Sequence, residues 1–191
     1  MAFEWIACML NMVEDGMPWP DGLQHAKAAY LSKDPSKSDD PLAYRVLMVL
    51  PAVYRIWAMH RLNAMKPWTD TWRTDDMYAG VGSQGAEDAW YAIAGEVEQY
   101  KLSNEDFAGG TVDIAKCFDQ ISRVLVYRLA EKAGMPVGIL SAYQRYQENL
   151  KIHNTIAKGI GRAFIRKCGI PQGCPLSMMF SSLIMTPWMD K

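Results

Sequence analysis

The sequence has no excess of charge of one sign and no long apolar run, and each absence argues against a class of protein. The chain carries 20 lysines and arginines against 21 aspartates and glutamates, a formal net charge of −1, which is unlike a uniformly basic nucleic-acid-binding protein. No apolar run approaches the ~18 residues of a membrane-spanning helix, and the N-terminus lacks a basic stretch followed by a cleavage site. We therefore expect an intracellular protein, nuclear or cytoplasmic, with no membrane partner.

Cysteine is scarce and irregularly spaced. The four residues, Cys8, Cys117, Cys168 and Cys174, show no pattern typical of a disulfide framework. Cys168 and Cys174 are six residues apart and Cys117 is isolated, so a zinc site built from two close Cys or His pairs has little support. Free thiols in a reducing compartment are the expected state.

What is present is an ordinary globular composition with locally clustered basic residues. Half of the 191 residues are hydrophobic and 21% are charged, which suits one good core or two modest ones. The basic side chains concentrate in two stretches, Lys33, Lys37, Arg45, Arg55 and Arg61, then Arg162, Arg166 and Lys167. A balanced total charge can therefore hide a basic groove.

Hydrophobic periodicity and turn residues predict a mixture of helices and strands. In the first half, the pattern predicts a helix over 3–13 and then a hairpin. The two extended segments of this hairpin begin at Leu23 and span 44–50, and the polar loop 34–41 joins them. A helix from Pro51 to residue 65, an irregular stretch over 67–84 and a helix over 86–101 follow. The second half predicts a strand ending at Asp113, helices over 120–133 and 136–150, a strand near 162–168 and a helix from 176 to Pro187. The class expected is therefore α+β.

Two short motifs carry most of the functional information. Residues 111–119 read Thr-Val-Asp-Ile-Ala-Lys-Cys-Phe-Asp, and residues 169–177 read Gly-Ile-Pro-Gln-Gly-Cys-Pro-Leu-Ser. Each alone is weak, because an aspartate that closes a strand is common and a Pro-Gln-Gly turn can simply begin a helix. In this order and at this separation they resemble the palm motifs of reverse transcriptases of the non-LTR retrotransposon and group II intron type.

This resemblance runs from near Trp19 to the last residues and implies a right-hand polymerase fold. Residues 1–104 would form the fingers with an N-terminal extension, and residues 105–191 the first half of a palm with a helical insertion. The implied activity is RNA-templated DNA synthesis by two-metal nucleotidyl transfer. Its partners would be an RNA template, a DNA primer and deoxynucleoside triphosphates, and its cofactor Mg²⁺, with Mn²⁺ as an alternative.

The chemistry of that reaction suggests roles for the first motif. Nucleotidyl transfer uses two divalent ions roughly 3.5 to 4 Å apart, and Mg²⁺ prefers carboxylate oxygens. Asp113 is the expected catalytic metal ligand, with the backbone carbonyl of Ile114 as a second ligand. Asp119 is expected to cap the helix that follows. By resemblance, Phe118 lies under the incoming sugar and excludes a 2′-hydroxyl; the alternative is that Phe118 is a core residue.

The remaining site residues come from the second motif and the predicted hairpin. By resemblance, Gln172 and Gly173 line the nucleotide pocket, and a glycine there permits close backbone approach. Lys33 and Arg45 match the positions that hold the triphosphate, where Lys supplies a point charge and Arg bidentate hydrogen bonds. The alternative for both is a solvated surface charge.

The family's aromatic-x-Asp-Asp turn, which supplies two further metal-binding carboxylates, is missing, as is the thumb. Nineteen residues follow Gln172, and their only acid, Asp190, is a poor substitute. The chain is therefore expected to be inactive as a polymerase by itself. It would be a gene-model fragment, a degenerate element or a piece of a protein that other sequence completes. Two other readings stay open: a catalytically dead nucleic-acid-binding remnant of a retroelement, and an unrelated α/β protein.

Overall fold

The computed structural model describes residues 2–82, 84–156 and 158–189, and it is a mixed α+β structure as predicted. The helices are α1 (Ala2–Glu14), α2 (Ala52–Ala64), α3 (Lys66–Thr69), α4 (Ala86–Ser103), α5 (Cys117–Gln120), α6 (Arg123–Lys132), α7 (Val137–Asn149) and α8 (Pro175–Met189). The strands are β1 (His25–Ser32), β2 (Tyr44–Val49), β3 (Lys151–Ile156) and β4 (Gly159–Ile165).

The predicted hairpin is confirmed. Strands β1 and β2 pair antiparallel, with Lys27 opposite Val49 and Ser32 opposite Tyr44. The loop between them is shaped by two aspartates, because the Asp34 carboxylate accepts a hydrogen bond from Ser36 N–H at 2.9 Å and Asp40 accepts one from Leu42 N–H at 2.8 Å. Such local side-chain to backbone hydrogen bonds are typical of Asx turns, so interactions within the loop determine its conformation.

The four strands form one sheet in the order β2-β1-β3-β4. Strand β1 pairs in parallel with β3, from His25 opposite Lys151 to Ala29 opposite Thr155. Strands β3 and β4 form a second antiparallel hairpin. The strand expected near 162–168 corresponds to β4, whereas β3 is absent from the sequence prediction.

The strand predicted to end at Asp113 is wrong. Residues 105–114 form neither helix nor strand, and Val112 is 85% exposed. A β-favouring run becomes a strand only where another strand offers its backbone N–H and C=O groups. Within the described residues, β1 to β4 pair with one another, and none of them pairs with this segment.

One hydrophobic core joins the inner face of the sheet to helices α2, α6, α7 and α8. At its centre the rings of Tyr54 and Tyr146 stack with centroids 3.5 Å apart, and Trp19 packs edge-on against both. Trp19 also donates a hydrogen bond from its indole N–H to the Ala142 carbonyl at 2.8 Å. Both the core and the sheet contain residues from before and after the expected domain boundary at 104/105. The division into residues 1–104 and 105–191 stays a prediction.

Two helices differ in detail from expectation. Helix α4 buries none of its residues, so its predicted apolar face, including Trp90 and Ile93, is exposed. Helix α8 continues through Pro187 to Met189 instead of ending at the proline. In the described part of the chain, no helix combines the length and apolar character needed to cross a bilayer.

Candidate functional site

An open cleft of about 580 Å³ lies where the first hairpin meets the two sequence motifs. Its walls come from Lys33 and residues 44–46 of the hairpin, from residues 113–119, and from Gln172. Of the site residues predicted from the sequence, Lys33, Arg45, Asp113, Ile114, Phe118 and Gln172 line this cleft. Gly173 does not.

Backbone hydrogen bonds join the three segments that build the cleft. Met48 N–H of β2 donates to the Gln172 carbonyl at 2.7 Å, and Ile170 N–H donates to the Phe118 carbonyl at 2.8 Å. Gly169 N–H also donates to the Ile121 carbonyl at 2.8 Å. The second motif therefore lies between the hairpin and the first motif, and it holds both in place.

Two glycines make this close packing possible. Gly169 has φ +83°, and a Cβ there would lie 2.7 Å from the Asp119 carbonyl oxygen and 2.8 Å from that of Phe118. Gly173 has φ +119°, and its Cβ would collide with the carbonyl of Met48. The close approach predicted for Gly173 is thus made to β2; contact with a nucleotide stays a prediction for this residue.

A lysine that the sequence reading overlooked fixes the first motif against the hairpin. Lys116 adopts a left-handed backbone conformation with φ +52°. Its ammonium group donates to the carbonyls of Leu42 at 3.1 Å and Tyr44 at 2.9 Å. Its position between Asp113 and Phe118 within a motif was the available signal that it lines the same site.

Asp119 lines the cleft but does not cap a helix as predicted. It lies inside the short helix α5, and the residue that precedes α6 is Ser122. Its carboxylate accepts a hydrogen bond from the Arg166 guanidinium at 2.9 Å. The cap prediction is wrong because the chain makes a separate turn of helix before α6, and the acid is paired with a residue 47 positions away.

Asp113 is the acid in the cleft that is available to a cation. It is exposed, and within residues 2–82, 84–156 and 158–189 no hydrogen-bond or ion-pair partner is found for it. The Ile114 carbonyl accepts a hydrogen bond from Cys117 N–H at 3.3 Å, which leaves it one lone pair. Carboxylate and carbonyl oxygens are the ligand types that Mg²⁺ prefers.

Among the described residues, no group of three or more His, Cys, Asp or Glu side chains is arranged to hold a metal ion. Asp190, the acid considered as a substitute for the missing pair, lies outside them. In the described part of the chain, the acids that line the cleft are Asp113 and Asp119.

The two cations expected to hold a triphosphate stand on the hairpin side of the cleft. Lys33 and Arg45 are both exposed, and in the described part of the chain neither side chain has an ion-pair partner. Phe118 is half-buried and packs against the hydrophobic core while also lining the cleft. Phe118 therefore both contacts the core and borders the cleft, and its position under a sugar stays a prediction.

No protein-family model matches the chain, and no curated protein sequence matches it.

Proposed function

We propose that this chain carries the nucleotide-binding site of a reverse transcriptase domain, with residues of the fingers and the first half of the palm. The observation that carries the proposal is the single cleft lined by Lys33, Arg45, Asp113, Phe118 and Gln172. These residues belong to two motifs and a hairpin that are far apart in the sequence. An accidental motif match gives no reason for them to converge.

The charges of the cleft suit a deoxynucleoside triphosphate bound with Mg²⁺. Lys33 and Arg45 would neutralise the phosphates, Lys as a point charge and Arg through paired N–H donors. Asp113 and the Ile114 carbonyl would hold the Mg²⁺ ion. The magnesium would supply charge neutralisation at the phosphates, while the Phe118 ring fills the space beneath the sugar where a 2′-hydroxyl would project.

In this proposal the 191-residue chain binds nucleotide but does not polymerise it. The reaction needs two ions held by several carboxylates. Asp119 forms an ion pair with Arg166 at 2.9 Å. Among the described residues of the cleft, this leaves Asp113 as the acid that would hold an ion. RNA-templated DNA synthesis belongs to a protein that supplies the remaining carboxylates.

The proposal is tested by titrating the chain with a deoxynucleoside triphosphate and Mg²⁺ in a calorimeter. We expect Lys33→Ala and Arg45→Ala each to weaken binding by roughly 10- to 150-fold, since a charge-assisted hydrogen bond contributes about 1.5–3 kcal/mol. Asp113→Asn should weaken binding only when Mg²⁺ is present. Lys37→Ala is the matched control, because Lys37 is an exposed lysine of the same hairpin loop that does not line the cleft.

Equal effects of Lys33→Ala and Lys37→Ala would contradict the proposal. So would an Asp113→Asn effect that is the same with and without Mg²⁺. Retained binding of inorganic triphosphate with no preference for the nucleoside would restrict the site to a polyphosphate pocket.

A second candidate is binding of nucleic acid without catalysis, favoured by strand β4. All seven of its residues are exposed, and Arg162 in it lies between the exposed Lys158 and Lys167. Basic residues on an open strand suit contacts to a phosphate backbone. This candidate predicts RNA affinity that falls steeply with salt, needs no metal and is lost when these three residues are neutralised.

A further inference from the structure

Strand β2 lies at one end of the sheet, and the side of it that faces away from β1 has no neighbouring strand in the described part of the chain. Backbone groups on such an edge need other partners. At the start of β2, the Ala43 carbonyl accepts a hydrogen bond from Lys33 N–H at 2.8 Å. The carbonyls of Leu42 and Tyr44, on either side of Ala43, take their donor from outside the sheet.

That donor is the Lys116 ammonium. Its Nζ lies 3.1 Å from the Leu42 carbonyl oxygen and 2.9 Å from that of Tyr44. A neighbouring strand would offer backbone N–H groups; here one side chain with three N–H donors serves two carbonyls. Hydrogen bonds from a charged donor are roughly twice as strong as neutral ones. The first motif therefore holds the beginning of β2 through charge-assisted bonds.

A second contact holds β2 farther along. Met48 N–H donates to the Gln172 carbonyl at 2.7 Å. Arg45 lies between these two contacts and directly follows Tyr44, whose carbonyl Lys116 binds. Its side chain is exposed and lines the cleft. The place of the Arg45 guanidinium therefore depends on how firmly the backbone beside it is held.

The backbone at Lys116 is also specialised. Its φ of +52° lies in the left-handed region, which a residue with a Cβ enters at a cost. The residue follows Asp113 by three positions and directly precedes α5, so this conformation forms the turn between the two. Such a conformation persists where the surrounding structure holds it, and the bonds to Leu42 and Tyr44 are contacts of that kind.

No carboxylate competes for the ammonium among the described residues. Asp119, an acid of the same cleft, is paired with Arg166 at 2.9 Å, and no ion pair of Lys116 is found in residues 2–82, 84–156 and 158–189. Lys116 is thus committed to the hairpin. It joins the motif that carries Asp113 to the strand that carries Arg45.

We propose, on the basis of the nucleotide site proposed above, that Lys116 is a positioning residue for the triphosphate. It acts through Arg45: by holding the Tyr44 carbonyl, it keeps the guanidinium at a fixed distance from Asp113 across the cleft. Binding of the phosphates then needs little rearrangement of the hairpin, which lowers the cost of ordering it.

The test is a calorimetric titration with dATP and Mg²⁺. Lys116→Met should weaken binding by about tenfold, the effect of one misplaced charge-assisted hydrogen bond. Lys116→Arg should restore most of the affinity, because a guanidinium can also donate to two oxygens. The double variant Lys116→Met/Arg45→Ala should bind no more weakly than Arg45→Ala alone, since the lysine acts through the arginine. Lys37→Met, an exposed lysine of the same loop outside the cleft, is the matched control and should change nothing.

A glycine variant separates the ammonium from the backbone conformation. Glycine adopts a positive φ without strain, so Lys116→Gly retains the turn and should still bind dATP as weakly as Lys116→Met. Retained affinity in Lys116→Gly, or losses that multiply in the double variant, would overturn the proposal. If Arg45→Ala weakens binding and Lys116→Met does not, the role of Lys116 is refuted while the nucleotide site stands. If neither variant weakens binding, the nucleotide site itself is refuted.

Discussion

Replacing Gly169 by alanine tests how the two motifs are held together. Alanine at φ +83° costs about 1–2 kcal/mol in backbone strain. The added Cβ would also lie 2.7 Å from the Asp119 carbonyl oxygen and 2.8 Å from that of Phe118, so the chain must separate there. Loss of the two backbone bonds from Gly169 and Ile170 removes about 1 kcal/mol each. The expected total is about 3–4 kcal/mol.

The matched control is Gly134→Ala. Gly134 has a similar φ of +75°, but a Cβ there meets nothing within 4 Å, so this variant should show only the strain of about 1–2 kcal/mol. Urea denaturation followed by circular dichroism measures both free energies of unfolding. Equal losses for the two variants would refute the steric explanation, since the difference between them is the contact of the added Cβ with Arg166 and with residues 118–119.

Three further outcomes are expected. In a completed polymerase, Phe118→Ala should admit ribonucleotides, measured as the ratio of kcat/KM for deoxy and ribo substrates; an unchanged ratio would make Phe118 a core residue only. The 191-residue chain should show no primer extension with Mg²⁺, whereas a chimera with a palm hairpin and thumb from a related element should extend a primer in a manner that Asp113→Asn abolishes. Burial raises the pKa of the Cys174 thiol, so at pH 8 a maleimide should label Cys8 and Cys168 quickly and Cys174 only after unfolding, as mass spectrometry of the peptides can verify.

The parts of the fold that could be predicted are those with local causes. The first hairpin follows from alternating residues around a loop whose aspartates, Asp34 and Asp40, bond their own backbone. Helix α2 follows from Pro51 and the apolar spacing after it. Strand β3 was missed even though it forms a local hairpin with β4, and its parallel pairing with β1 depends on residues more than a hundred positions away. The prediction of a strand before Asp113 was wrong because no described strand pairs with this β-favouring segment.

The candidate site divides in the same way. Lys33, Arg45, Phe118 and Gln172 came from a resemblance between motifs, and the folded chain brings them to one cleft. The pairing of Asp119 with Arg166 had no local signal, because it arises only once the 169–170 segment lies against α5.

The parallel pairing of β1 with β3 has a consequence for synthesis on the ribosome. His25 and its partner Lys151 are 126 residues apart, and at about 5–20 residues per second the second follows the first by roughly 6–25 s. The β1–β2 hairpin needs only microseconds to form. Until β3 is synthesised, one edge of β1 has no strand to pair with, and Ala26 and Ala28 are exposed to solvent. During that interval the nascent hairpin can pair with the same strand of a neighbouring polysome chain, and this competing reaction ends only when β3 emerges.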